Sequence, residues 1–468
     1  VRGDDDTLRQ EAERLLRQAL TLSERTPEAI MLLAVAVIDA SLPEFAETIL
    51  RDLLRDHPTH SAAHHLLGCA LRDQCRYESA AESLRQAIAL DPHRPAFHMD
   101  LADTLRRQGA LDESRLYAQQ ALTLSPENAH AHFTLGNTLH QLGHFVESHE
   151  AYERALAIDP NHAAAHRNRA VSHFLHGNFP AGYTDYEWRW KLKGFRGTLE
   201  RLQKPAWNGE PLAGRTLLLH AEQGLGDTVQ FIRYVPLIAK EQGRVIVQVQ
   251  PPLVRLLERL QGIDAVVARG DALPPFDLHC PLLSLPRIFQ TTLETIPHRI
   301  PYLHIPESTH APSDSSTLHV GVAWAGNPRH TGDRLRSIPL TEFRSLFDLP
   351  GIRFYRLHTT DSHAPESSAH PHLLDPTAAF TDLATTAGFM HTLDLVISVD
   401  TVIAHLAGAM GKPVWTLLPF IPDWRWLLDR DDSPWYPTMR LFRQTTRGDW
   451  STVLLNVRQR LKDEQSRG

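Results

Sequence analysis

Residues 394–414 read DLVISVDTVIAHLAGAMGKPV, and this stretch decides the architecture of the second half of the chain. The apolar run Leu395–Val399 predicts a buried strand ending at Asp400. A helix is predicted from Thr401, and a second apolar run, PVWTLL, follows. Strand, helix and strand in that order build a parallel sheet. The first-turn amides of Thr401, Val402, Ile403 and Ala404 have no partners within the helix. With the helix dipole they predict an anion site suited to a diphosphate, with Asp400 at its edge and His405 one turn along the same face. The alternative is an ordinary capped turn, with Asp400 or Thr401 as the cap.

Working outward, residues 320–340, VGVAWAGNPRHTGDRLRSIPL, read as a strand followed by a polar loop carrying Asn327, Arg329, Arg334, Arg336 and Ser337. Arginines beside a helix-terminus anion site are suited to neutralising a leaving diphosphate through bidentate contacts. Further strand-like and helical runs (IRFYRL, FTDLATTAGFMHT, MRLFR) complete this unit. An earlier unit of the same kind alternates TLLLH, VQFIRYVPLIAK, VIVQVQ, LVRLLERL and AVVA from residue 216. The stretch PPFDLHCPLLSLP that follows reads as proline-rich connection, and PYLHIPESTHAPSDSS as an interdomain linker. Two such units imply a cleft, with ligands outside the carboxyl ends of the strands.

The first strand of the earlier unit runs into HAEQGLGDTV, residues 220–229. This glycine loop fails the dinucleotide fingerprint, having Val229 where the last glycine belongs, and it lacks the GK[ST] of a P-loop. Asp227 is therefore read in two ways. It caps the following helix, or it takes a proton from an acceptor hydroxyl, with Gln223, Gly224 and Gly226 forming the acceptor loop.

These segments together resemble the heptosyltransferase-like glycosyltransferases, over roughly residues 212–461. GLGDTVQF is similar to that family's first-loop GxGD motif, and DTVIAHLAGAMGKP to its donor-site segment, with Gly408 in place of a bulkier residue. The resemblance implies the two-Rossmann GT-B fold, Asp227 as catalytic base, and Arg336 where the family holds a lysine against the diphosphate. PDWRWLLDRDDSPWYPTMRLFRQ (422–444) resembles the repeat-fused bacterial members, some of which are implicated in protein or flagellin glycosylation; Arg425 would border the nucleotide.

The first 195 residues carry a different period. Pro58, Pro92, Pro126 and Pro160 recur every 34 residues, in register with Ala87, Ala121 and Ala155 and with Gly109, Gly143 and Gly177. Gly68 and Gly136 share a phase that alanine fills at Ala102 and Ala170. This is the tetratricopeptide signature: small residues at helix crossings, proline after the second helix of each pair. Four units are read from Pro58 to about Lys193, with one or two degenerate helix pairs before them from Leu8 to Asp56. A right-handed solenoid is expected, with Asp100, Asp103, Arg106, Asn137, Gln141 and Asn168 facing a peptide-binding groove. The aromatic segment YTDYEWRWKLKGF reads as a packed junction, with Trp188, Trp190 and Trp207 as packing residues.

Composition sets the outer limits. A net charge of −7 gives no basic field for nucleic acid or anionic membrane. Three cysteines make neither a disulfide framework nor a metal-ligand cluster, and 28 histidines show no ligand spacing, so no metal is expected. The acidic, amphipathic start lacks the features of a signal peptide, and no run approaches the roughly 20 apolar residues of a membrane span. A cytoplasmic protein is expected.

The expected fold is α + α/β: a tetratricopeptide solenoid (1–195), an acceptor half (196–310) and a donor-binding half (311–468) of a GT-B module. The expected activity is inverting, metal-independent transfer of a sugar from a nucleotide-sugar donor to a hydroxyl on a protein recruited by the repeats, without a cofactor. Two other readings stay open: a repeat scaffold with an inactive nucleotide-binding module, and an enzyme acting on a glycolipid or saccharide.

Overall fold

The computed structural model describes residues 26–195, 197–238, 243–303, 305, 317–330, 332–358 and 370–465. The expected helical segment before Thr26 and most of the predicted linker (306–316) lie outside them. The chain divides into two compact units, residues 1–169 and 170–468.

The N-terminal region is an all-helical tetratricopeptide solenoid. Among the described residues it contains five helix pairs: α1 (Pro27–Asp39) with α2 (Pro43–Asp56), α3 (Ser61–Asp73) with α4 (Tyr77–Leu90), α5 (Pro95–Gln108) with α6 (Leu111–Leu124), α7 (Ala129–Leu142) with α8 (Phe145–Ile158), and α9 (Ala163–Leu175) with α10 (Phe179–Tyr186). The small residues stand where helices touch. A Cβ on Gly68 would lie 2.5 Å from Leu84 Cγ, and one on Gly136 would lie 2.6 Å from the Tyr152 ring. The turn inside each pair has a left-handed residue, and these also recur every 34 positions: Ser41, Cys75, Gly109, Gly143 and Gly177. Two of the five are not glycine, which hides the first pair from a search for glycine spacing.

The same register explains part of the histidine content. His64, His98, His132 and His166 each direct Nε2 to the carbonyl of the proline six residues earlier, at 2.9, 2.8, 2.9 and 3.0 Å. A proline at the end of a repeat leaves a carbonyl exposed, and the next helix supplies the donor. These histidines are structural.

The second unit holds two wholly parallel sheets. In the first, β1 (Thr216–His220), β2 (Arg244–Val249), β3 (Ala265–Ala268) and β4 (Leu278–Pro281) lie in the order β3-β2-β1-β4. In the second, β5 (Leu318–Ala323), β6 (Ile352–Arg356), β7 (Leu373–Leu374), β8 (Leu395–Val399), β9 (Val414–Leu418) and β10 (Met439–Arg443) lie in the order β10-β9-β8-β5-β6-β7. Strand β4 falls in the stretch read from sequence as proline-rich connection. It has four residues and pairs with β1 from Leu217↔Leu278 to His220↔Pro281. An outer position tolerates Pro281, and four residues are too few to show a period. Each strand order reverses once, between β1 and β4 and between β5 and β8, and the crevice at such a reversal is where parallel sheets bind ligands.

Residues 170–195 pack on this unit. Phe174 lies 4.3 Å from the Trp424 ring and Phe179 stacks on Trp435 at 5.7 Å, centroid to centroid. Trp207 is buried as expected and its indole donates to the Glu210 carbonyl at 2.7 Å. Between Trp188 and Trp190, both half-buried, it is Arg189 that is fully enclosed, at 1% exposure.

Candidate functional site

The loop after β1 starts helix α11 (Leu225–Phe231), and the turn after β8 starts helix α12 (Val402–Ala409). Both therefore begin at their sheet's reversal, and the two helices meet there. A Cβ on Gly226 would lie 2.7 Å from His405 Cδ2, so the glycine permits this contact. Gly226, read from sequence as part of an acceptor loop, has the His405 ring against it.

Asp227 is not the N-cap of α11. Gly224 holds that position in extended conformation, and Asp227 stands in the first turn with Oδ2 accepting the Gly224 amide at 2.8 Å. Sequence reasoning placed the helix start too late because glycine offers no capping side chain. Oδ1 of Asp227 accepts from Arg425 Nη2 in a direct ion pair. Arg425 also donates through Nη1 to Asp423 Oδ1 at 2.9 Å and through Nε to Gln230. Burial raises the Asp227 carboxyl above the usual range, against the opposing pull of Arg425. Gln223 turns from the loop towards the junction segment, donating to the Tyr186 hydroxyl at 2.6 Å. Gly224 is exposed.

On the other side, Thr401 caps α12. Its hydroxyl accepts the Ile403 amide at 3.3 Å, and its carbonyl accepts that of Ala404 at 3.1 Å. Two of the four amides expected to be unpaired are thus engaged. Those of Thr401 and Val402 have no hydrogen bond among the described residues. Arg336 donates through Nη1 to the Asp400 carbonyl at 2.8 Å and pairs with Asp333 at 3.1 Å. Ser337 donates to Asp333 at 2.9 Å and accepts the Gly326 amide at 3.0 Å. A Cβ on Gly326 would sit 2.2 Å from Asp333 Oδ1, so that glycine lets the pair fold over the end of β5. Asn327 and Arg334 are exposed and are not brought to this cluster.

Burial, aided by the charge of Asp423, pushes the Asp400 carboxyl up to about 6. His405 is buried at 5% exposure, and burial with the nearby Arg425 holds its ring well below the usual pKa, hence neutral. Its Nδ1 lies 2.9 Å from the Tyr436 hydroxyl, its ring stacks on Trp426, and Nε2 lies 4.0 Å from Asp400 Oδ1. Tyr436 also accounts for Gly408: a Cβ there would lie 2.5 Å from the tyrosine ring. Sequence reasoning missed Tyr436, Asp423 and Gln230, which carry no motif of their own.

The junction segment buttresses the loop. Arg189 Nη2 contacts Glu222 Oε1 at 3.0 Å and Ser284 Oγ at 2.9 Å. Burial lifts Glu222 to about 7 despite this partner, and its Oε2 has no hydrogen bond among the described residues.

The repeat residues are also tied up. Asp100 accepts from Arg72 and His65, each at 2.7 Å, and Asp103 from Arg106 at 2.6 Å and Arg107 at 2.8 Å. Asn137 accepts from Tyr152 at 2.9 Å and Asn168 at 2.6 Å. Gln141 is half-buried.

The class defined by the first half is confirmed by comparison with known families: residues 65–129 and 129–162 match tetratricopeptide repeats. Such repeats suggest protein–protein interaction. The chain is also 25% identical over 331 residues to the protein FlbA of Caulobacter vibrioides (strain ATCC 19089 / CIP 103742 / CB 15), a distant relative. The match covers 63% of this chain and 54% of FlbA, so the chain spans about half the length of that relative. Among solved structures, pilF of Pseudomonas aeruginosa is 21% identical (34% of this chain, 73% of that one, TM-score 0.32). YrrB, described as a TPR protein with an unusual peptide-binding site, is 16% identical (40% and 97%, TM-score 0.30). Among the described residues no helix is long and apolar enough to cross a membrane.

Proposed function

We propose that the α/β unit is an inverting glycosyltransferase that uses a nucleotide-sugar donor and no metal, and that the repeats bring it a protein acceptor. One observation carries this reading. A half-buried carboxylate with a raised pKa, Asp227, is ion-paired to Arg425 where α11 meets α12, the helix that begins with the Thr401 and Val402 amides next to the Asp400 carbonyl held by Arg336.

In the reaction Asp227 takes the proton of an acceptor hydroxyl. The oxygen attacks the anomeric carbon as its bond to the diphosphate breaks, and the departing charge meets the α12 amides and the guanidinium groups. Arg425 must first leave Asp227, because an ion-paired carboxylate is a poor base. Exchange of that partner for a donor phosphate frees the base when the donor is in place. Neutral His405 packs the site and adds no charge.

The Asp227–Arg425 pair also fits a second reading, a module that binds a nucleotide without turning it over. The test is release of nucleoside diphosphate from a panel of nucleotide sugars, with and without cell-extract proteins as acceptors. Release that Asp227→Asn abolishes supports the enzyme; nucleotide binding without release supports the second reading.

A further inference from the structure

We infer that His65, Cys69 and Asp100 form a three-ligand site for a divalent transition metal, zinc above all, that clamps two adjacent repeats. His65 and Cys69 are four residues apart on α3, one above the other on one face. Asp100 comes from α5, the first helix of the next repeat. One ligand atom from each residue lies within 4.8 Å of the other two.

The chemistry fits zinc. Imidazole, thiolate and carboxylate are the three ligand types it accepts, and three protein ligands leave a fourth position open. Cys69 Sγ stands 3.7 Å from His65 Nε2. Tetrahedral bonds to sulfur and nitrogen require about 3.6 Å between those two atoms, so they are already placed. His65 Nε2 and Asp100 Oδ2 are 2.7 Å apart as a hydrogen-bonded pair. That distance must open to about 3.3 Å to admit the ion, a change that side-chain rotation supplies.

The surroundings supply the outer support such sites use. Arg72 Nη1 holds the other oxygen, Asp100 Oδ1, at 2.7 Å, leaving Oδ2 for the metal. Phe97 stacks on the His65 ring at 4.7 Å and fixes its plane. On binding, Cys69 gives its proton to solvent, and thiolate and carboxylate then balance the two charges of the cation beside Arg72. Sequence spacing concealed the set because the third ligand arrives through the stacking of repeats.

The test uses the full chain and cobalt(II) as a spectroscopic stand-in, then zinc in competition. One equivalent of cobalt is expected to give a thiolate charge-transfer band that zinc bleaches. Cys69→Ser should remove the band, while Cys75→Ser and Cys280→Ser retain it. His65→Gln and Asp100→Asn should weaken binding by more than the ~10–100-fold that loss of outer support costs. Circular dichroism confirms that each variant is folded. Absence of a band in the folded wild type, or a band that survives Cys69→Ser, overturns the site.

Discussion

Asp227 and Arg425, one following β1 and the other following β9, are joined by a direct ion pair. The candidate base is thereby held by a residue from the sheet that would bind the donor. Arg425→Met removes a cation that pulls the Asp227 carboxyl down, so its pKa should rise further. The acid limb of any activity profile should then move to higher pH. A limb that stays in place would separate Asp227 from the reaction.

Asp400 gives a stability prediction with a defined sign. Its folded pKa of about 6 lies above its ordinary value of 3.8, so the folded state holds the proton more tightly. Stability from this group is present below pH 4 and is lost as pH rises to about 6. Asp400→Asn should therefore stabilise the protein at pH 8 by at most about 3 kcal/mol, with little gain at pH 4. Denaturant titrations at the two values measure the difference.

Arg189 and Glu222 form a buried pair, exposed by 1% and 2%. Arg189→Met leaves the Glu222 carboxyl buried without its cation. A loss of about 3–5 kcal/mol is expected at pH 8, where Glu222 carries charge beside Arg189 in the wild type. The loss should shrink at pH 5.5, where Glu222 is protonated. Equal losses at both values would mean that Arg189 acts by packing alone.

Gly408→Ala forces a methyl group onto the Tyr436 ring, and overpacking of this kind costs about 1–3 kcal/mol. Tyr436→Ala opens the space but strips the partner from His405. The double variant should lose less than the sum of the single losses in thermal melts. Simple additivity would refute the contact.

Cys75 holds a left-handed conformation that glycine takes in later repeats. Cys75→Gly should stabilise the repeats by up to about 1 kcal/mol. A fall in melting temperature would show that the side chain is needed.

The sequence made the repeats legible because their period is carried by small residues and prolines, which sterics forces into fixed places. The first helix pair could be expected only as a degenerate one, because Ser41 stands in its turn where later repeats have glycine, as Cys75 does in the second. The long apolar runs β5, β8 and β9 were readable, whereas β4 was too short and proline-bound. Asp227 and His405 could be picked out from their places after a strand, and Arg336 from the resemblance to the heptosyltransferase-like family. Their partners could not, because Tyr436, Asp423 and Glu222 take their roles from contacts made only on folding. Gly226 was visible as a loop glycine, but its reason, the close approach of His405, required the structure.

Calorimetry of nucleotides binding to this chain decides whether the donor site exists. One nucleoside diphosphate is expected to bind at a single site, and Arg336→Ala to weaken that binding at least tenfold. Asp227→Asn should leave that binding in place. Failure of every nucleotide to bind, or binding indifferent to Arg336, would contradict that donor site.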